Sequence, residues 1–240
     1  MLEICDIHSH ILPGIDDGCA TVEESVAVLK HMWREGVRSV FATPHYYSSR
    51  ESVEEFLKNR QESEDRLREA LKGELHPVPA FCSGAEVAYF PGMDSCGELP
   101  KLCLGKSNYM LLELPFTPWS GQVVRDVKNL SLQGIVPILA HYERYTAFQD
   151  KRLLEAMLEA EPLVQMNASH LLGFWKGAKA RNALRRGQVH LLGSDCHGLE
   201  RRPSQMGEAI TYLKRKNMHH ALDQVMGLGQ EIFCQATAEH

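Results

Sequence analysis

Short apolar runs and longer amphipathic stretches alternate along the whole chain. The runs of strand length are Ile4–Ile7, Val37–Ala42, Val78–Cys82, Tyr109–Leu114, Ile135–Ala140, Leu163–Met166 and Val189–Leu192. Between them the apolar positions recur at helical spacing. The clearest case is Thr21–Glu35, where Thr21 and Glu24 have the spacing of a capping box, Val22, Val26, Leu29 and Trp33 fall on one face, and Gly36 marks the stop. Ser52–Leu71 reads as a long, mostly charged surface helix with few apolar anchors. Gly121–Leu132, Asp150–Glu161, Lys176–Arg186 and Gln205–Lys216 complete the helical set, with Pro162 ending the second of these. No repeat, low-complexity tract or Gly/Ser linker interrupts the series, so residues 1–240 read as one domain.

Strand and helix in alternation imply an α/β fold, a parallel sheet with helical crossovers. A closed barrel and an open doubly wound sheet both fit, and seven strands are one short of the familiar eight-stranded barrel. In either case functional groups belong just beyond the C-terminal ends of the strands. Six of the seven runs end there in His, Asp or Glu. The first leads into Asp6-Ile7-His8-Ser9-His10 and then Pro13-Gly14-Ile15-Asp16-Asp17-Gly18; the second into Thr43-Pro44-His45; the third into Gly84-Ala85-Glu86. The fourth ends in Glu113, the fifth in His141, and the seventh runs into Ser194-Asp195-Cys196-His197. In extended backbone His8 and His10 point the same way, so two imidazoles can meet at one point.

Each of these residues has a structural explanation when taken alone: a turn for Asp16-Asp17-Gly18, a buried ion pair for Glu113, a surface position for a lone His. Their shared register at strand ends does not. Imidazole mixed with carboxylate is the donor set of divalent transition metals, and with no paired Cys cluster a structural zinc site is disfavoured. His8, His10, Asp17, His45, Glu86, Glu113, His141, Asp195 and His197 are too many donors for one ion. Two or three adjacent ions are implied, with Mn, Fe or Zn suiting the ligands. Clustered ions lower the pKa of bound water and clamp an oxyanion in line, which is hydrolytic chemistry on phosphate esters. Arg144 and Arg202 are the guanidinium groups close enough in sequence to grip phosphate oxygens. The remaining histidines, His31, His76, His170, His190, His219, His220 and His240, read as ordinary, with His170 the one best placed to support a ligand. Cys196 and Arg202 match the C-x5-R spacing of cysteine-dependent phosphatases, but the intervening His197, Gly198, Leu199, Glu200 and Arg201 are too bulky, and too acidic at Glu200, to wrap a phosphate.

The composition narrows the function further. A chain with 26 Lys+Arg against 31 Asp+Glu, net charge −5, lacks the basic footprint of a nucleic-acid binder. No stretch approaches the roughly 18 apolar residues of a membrane span. Glu3 and Asp6 stand where a signal peptide would be basic and then apolar, so a cytoplasmic protein with its 7 Cys reduced is expected. Divalent ions on Asp17, Glu86, Glu113 and Asp195 would make the pocket of this acidic protein locally cationic.

Taken together, Asp6-Ile7-His8-Ser9-His10-Ile11-Leu12-Pro13-Gly14-Ile15-Asp16-Asp17-Gly18, Thr43-Pro44-His45, Gly84-Ala85-Glu86, Leu112-Glu113, Ala140-His141-Tyr142-Glu143-Arg144-Tyr145 and Ser194-Asp195-Cys196-His197 with Arg202-Pro203 resemble the polymerase and histidinol phosphatase (PHP) superfamily. The likeness is to its branch of bacterial manganese-dependent protein-tyrosine phosphatases from capsule and exopolysaccharide loci. The resemblance implies a distorted barrel of seven parallel strands with a trinuclear site. His8, His10, Glu86 and Asp195 would hold one ion; Glu86, Glu113 and His141 a second; Asp17, His45 and His197 a third. It also implies a substrate, the tyrosine-phosphorylated tail of a bacterial kinase that controls polysaccharide export. Two departures stand out. The second strand ends in His45-Tyr46-Tyr47 where many relatives have a second histidine or a basic residue, which implies a more aromatic pocket mouth, and Gly227-Leu228-Gly229 stands where Asn-Pro is usual, which leaves the boundary of the last helix open. A histidinol-phosphate-type phosphatase on the same fold, or a catalytically silent metal-binding module that docks a kinase, are the competing readings.

Overall fold

The structure, a computed structural model, describes residues 3–173 and 175–238. Its strands are β1 (Ile4–Ser9), β2 (Val37–Ala42), β3 (His45–Tyr46), β4 (Ala80–Ser83), β5 (Glu86–Ala88), β6 (Tyr109–Glu113), β7 (Val136–Leu139), β8 (Leu163–Asn167) and β9 (Leu191–Gly193). Every pairing between them is parallel, in the orders β1-β2-β4 and β3-β5-β6-β7-β8-β9.

The nine strands are the seven expected ones with two of them broken. β2 resumes after Thr43-Pro44 as β3, where proline has no N–H for the ladder. β4 resumes after Gly84-Ala85 as β5; a Cβ on Gly84 would lie 2.6 Å from Leu104 Cδ2, so only glycine lets this bend pack. The breaks hand both chains from one sheet to the other in register, His45 opposite Glu86. The far edges then meet. Asp195 N–H donates to His8 O at 2.8 Å and His10 N–H to Cys196 O at 2.9 Å, joining β1 to the end of β9 and closing the barrel. Its interior packs Cys5, Ile7, Phe41, Leu111, Ile138 and Leu191.

The helices are α1 (Val22–Arg34), α2 (Val53–Lys72), α3 (Gly121–Leu132), α4 (Lys151–Glu159), α5 (Trp175–Arg185), α6 (Met206–Arg215) and α7 (His219–Thr237). Three expectations are corrected. The buried face of α1 is Ser25, Val28, Leu29 and Met32, one position round from the one read from Val22, Val26 and Trp33. Trp33 sits at the rim under the Arg38 guanidinium, 3.8 Å from its ring centre, and Ser25 Oγ satisfies itself on Thr21 O at 3.1 Å. β9 begins at Leu191, two residues later than expected, because at His190 the imidazole stands in for a ladder carbonyl: its Nδ1 accepts from Val164 N–H at 2.9 Å. The undefined C-terminal region is a continuous helix, α7. Gly229 lets it approach β1, a Cβ there lying 3.2 Å from Cys5 Cβ, and Ile232 and Ala236 extend the barrel's interior cluster. The surface helix α2 does have a capping box at Ser52 and Glu55, and it is anchored as much by polar groups as by Phe56 and Leu67, since Ser63 and Arg66 both donate to Pro13 O.

Candidate metal centre

All nine candidate ligands converge at the C-terminal end of the barrel, around the buried carboxylate of Glu86. Its Oε2 lies 3.2 Å from His8 Nε2, 3.2 Å from His10 Nε2 and 3.0 Å from His45 Nδ1. Its Oε1 lies 3.0 Å from His141 Nε2, which is 3.2 Å from Glu113 Oε1. Asp17 Oδ1 is 3.5 Å from His45 Nε2 and 3.3 Å from His197 Nε2. Three groups bring ligand atoms within 4.8 Å of one another: His10, Asp17, His45 and His197; His8, His10 and Glu86; and His45, Glu86 and Glu113. His10 and His45 thus stand between the groups rather than belonging to one.

The directions of the ring nitrogens fit cations. His10 Nδ1 is 2.7 Å from Asp16 Oδ2, His8 Nδ1 is 3.3 Å from Gln165 Oε1, and His197 Nδ1 is 2.9 Å from Asp195 O. A pure acceptor on Nδ1 fixes the proton there and leaves the Nε2 lone pair facing inward. His8 Nε2 and His10 Nε2 then lie only 3.2 Å apart with both lone pairs toward Glu86. Glu86 Oε2 and the Nδ1 atoms of His45 and His141 are buried with no well-aligned hydrogen bond among the described residues. Converging lone pairs around an anion are stable only with positive charge among them.

The electrostatics agree. Burial works against charge on His10, yet Asp16 and Glu86 outweigh it and hold the imidazole up at about 10. Burial likewise opposes charge on His141, but Glu113 and Glu86 raise it to about 9. Against the cost of burial, the surrounding histidines keep Glu86 well below the usual carboxylate range. His197, buried and beside His10, is pushed down to about 4, a neutral base. In the absence of ions the site draws in protons.

Close approach and strain shape this end of the barrel. Gly18 lies against His10 and Gly193 against His8, with added Cβ atoms 2.5 and 2.6 Å from the respective histidine Cβ. His141 (φ 35°) and Asp195 (φ 54°) are both left-handed, a conformation costly for side-chain-bearing residues and characteristic of functional sites. His141 is tied by its N–H to Gln165 Oε1 at 2.6 Å.

Arg144 and Arg202 both reach Asp195, Arg144 on Oδ2 and Arg202 on Oδ1 at 2.8 Å. Asn167 Nδ2 also donates to Oδ2, at 2.9 Å. Asp195 Oδ1 remains 3.7 Å from the Nε2 atoms of His8 and His10. The Arg144 and Arg202 side chains are 35% and 45% exposed, so both remain partly open to solvent beside Asp195. Cys196 is fully buried, its thiol pushed by burial up to about 12 and aimed at Gly198 O, so it is no nucleophile.

The residues missing from the sequence reading are Asp16, Gln165 and Asn167. Gln165 links His8, the His141 backbone and, through Nε2 at 2.9 Å, Asn167. This makes β8, the one of the seven expected strands that brings no candidate ligand, the support for three others. The signal was a polar side chain inside an apolar run. Support from β8 comes through Gln165 and Asn167, and His170, further along, lines a cavity of about 1410 Å³ with Arg144 and Lys179. Among the other histidines, His31 faces Glu35 at 3.9 Å, and His76, His219 and His220 are exposed. His240 lies outside the described residues.

The chain is similar to known proteins over most of its length. The family described as "Capsular polysaccharide synthesis, CpsB/CapC" matches residues 4–231. Tyrosine-protein phosphatase CpsB of Streptococcus pneumoniae is 33% identical, over 88% of this chain and 90% of its own. Tyrosine-protein phosphatase YwqE of Bacillus subtilis is 29% identical, over 88% and 84%. A crystal structure from work on YwqE of Bacillus subtilis and CpsB of Streptococcus pneumoniae, described as metal-dependent tyrosine phosphatases, superposes with a TM-score of 0.84 at 23% identity, covering 98% of this chain and 96% of that one. A phosphotriesterase from Mycobacterium tuberculosis shares the barrel more distantly, at TM-score 0.58 and 12% identity over 97% and 94%. The chain belongs to the CpsB/CapC family of capsular polysaccharide synthesis.

Proposed function

We propose that this chain is a metal-dependent phosphatase that hydrolyses phosphotyrosine on proteins. One observation carries the reading: nine candidate ligands from six strand ends, Glu86 and eight side chains around it, meet at one point, with two arginines at their edge on Asp195. His8, His10, Glu86 and Asp195 would hold one divalent ion, Glu86, Glu113 and His141 a second, and Asp17, His45 and His197 a third, manganese being the metal proposed. Bound there, such ions lower the pKa of water and neutralise charge on a phosphoryl group. The protein's own part is positioning. Asp16 and Gln165 keep His10 and His8 in the tautomer that presents Nε2. Arg144 and Arg202 offer their exposed N–H groups to the non-bridging oxygens of the phosphate, whose charge grows more diffuse as the bond to phosphorus breaks. A phenolate leaving group, with a conjugate acid pKa near 10, makes little demand for a general acid.

The relatives are named tyrosine-protein phosphatases, and the family is described by capsular polysaccharide synthesis. These support a protein substrate, which we take to be the phosphorylated tail of a cytoplasmic-facing tyrosine kinase that governs polysaccharide synthesis. Among the described residues no helix is long and apolar enough to cross a membrane. The test is turnover of a phosphotyrosine peptide beside histidinol phosphate, before and after chelation and Mn²⁺ return. Peptide turnover that is lost and restored is expected. Chelator-resistant activity, or turnover of histidinol phosphate alone, overturns the reading.

A further inference from the structure

Two aromatic side chains at the mouth of the site have no task in the chemistry above. Phe116 lies just beyond β6, three residues after Glu113, and is 49% exposed. Its ring stacks on His141, with centroids 5.6 Å apart and planes at 26°, and also touches Tyr145 at 5.6 Å. With these two ring contacts about half of the side chain still stands in solvent, an apolar surface open to a ligand. Tyr47, just after β3, stands against a different ligand: its ring is 5.3 Å from His45. The Arg50 guanidinium covers it at 4.4 Å from the ring centre, so Tyr47 is pinned between the two and half-buried. His141 and His45 contact opposite oxygens of Glu86, Oε1 and Oε2. The two rings therefore stand on the two sides of the central carboxylate, each one imidazole away from it.

We propose that Phe116 is the platform on which the substrate's aromatic ring lies, with Tyr47 as the wall across the mouth, so that this rim selects aryl over alkyl phosphates. The inference rests on the phosphatase reading above. In an aryl phosphate the ring is one bridging oxygen from phosphorus. Once the phosphate is held at the arginines and ligands, the ring must rest on the rim, and the exposed half of Phe116 is apolar surface available there. Phosphoserine, with no ring, gains nothing from it. Phe116 is a specificity residue and Tyr47 a positioning one.

The experiment measures KM and kcat for p-nitrophenyl phosphate and a phosphotyrosine peptide, and the inhibition constant of inorganic phosphate as a ringless probe. The proteins are the Mn²⁺-loaded wild type, Phe116→Ala, Phe116→Leu and Phe116→Tyr, with bound metal measured in each. Phe116→Ala should raise KM for both aryl substrates about fivefold, the worth of one aromatic pair. It should leave the phosphate constant, the metal content and kcat within twofold. Phe116→Tyr should restore KM, while Phe116→Leu should restore less than half of the loss. KM unchanged in Phe116→Ala overturns the platform. So does an equal rise in the phosphate constant or a loss of metal, since either means that Phe116 merely props His141. Wild-type protein that turns over neither aryl phosphate overturns the phosphatase reading and the platform with it, an outcome distinct from either of these.

Discussion

Gly193→Ala tests the closure of the barrel and the site together. The added Cβ would stand 2.6 Å from His8 Cβ, 3.2 Å from His8 N and 2.9 Å from Gln165 Nε2. Only the last of these can swing aside. Ordinary contact for a Cβ begins at 3.4 Å, so β9 and β1 must part by about 0.8 Å in an interior packed like a crystal. The bonds that join them, Asp195 N–H to His8 O at 2.8 Å and His10 N–H to Cys196 O at 2.9 Å, would then stretch beyond hydrogen-bond range. Overpacking costs about 1–3 kcal/mol and each of the two lost bonds about 1 kcal/mol, so a loss of about 3–5 kcal/mol is expected. In a chain of this length that lowers Tm by about 6–20 °C. His8 moves with β1, so metal affinity should fall at least about tenfold. Urea unfolding of the metal-free protein and competition against a chelating dye measure the two effects. Gly227→Ala is the control, an exposed position on α7 where a Cβ meets nothing within 4 Å; it should stabilise by about 0.5–1 kcal/mol. A Gly193→Ala protein with wild-type midpoint and wild-type affinity would refute the reasoning.

Asp16→Asn replaces the acceptor on His10 Nδ1 with a group that can donate; metal affinity should fall about 10–100-fold with the fold intact by circular dichroism, and a change under threefold argues against the tautomer role. Asp6, buried and accepting from Ser194 N–H at 2.8 Å, is raised by burial from 3.8 to about 6. The unfolded chain therefore releases this proton first, so the carboxyl's contribution is complete below pH about 4 and is lost as pH rises through about 6, by about 3 kcal/mol. Metal-free wild type should lose stability across that window relative to Asp6→Asn, and parallel urea curves from pH 4 to 7 would contradict this. Cys196→Ser should keep most of the activity on a phosphotyrosine peptide, because the thiol is buried at about 12 and serves packing. A dead variant that still binds metal would return the cysteine to the mechanism.

The convergence of the candidate ligands was legible in the sequence because such side chains are chosen by type and the barrel fixes their place: His8, His45, Glu86, Glu113 and His141 all end an apolar run, and the C-terminal strand ends of a parallel barrel face one point. Where type leaves several uses open, the pattern was silent. Asp16 looks like a turn residue, and it does accept from Gly18 N–H at 2.9 Å, but its other oxygen aligns His10. Gln165 inside β8 breaks an apolar run, which marks it as partnered without naming the partner. Helix α7 was hidden by Gly227 and Gly229, residues that argue against a helix until one sees that Gly229 is where the helix must touch β1. The two broken strands were foreshadowed by Pro44 and Gly84, but the consequence, His45 paired with Glu86 in a second sheet, depends on Leu104 lying beneath the bend. Asp195 marks the limit most clearly. By type it is a candidate ligand, and its Oδ1 does face His8 and His10. Its two oxygens are also shared among Arg144 from the turn after β7, Asn167 from β8 and Arg202 from the loop before α6. Three separate parts of the chain decide what that carboxylate does, and a local pattern can name each residue but not their meeting.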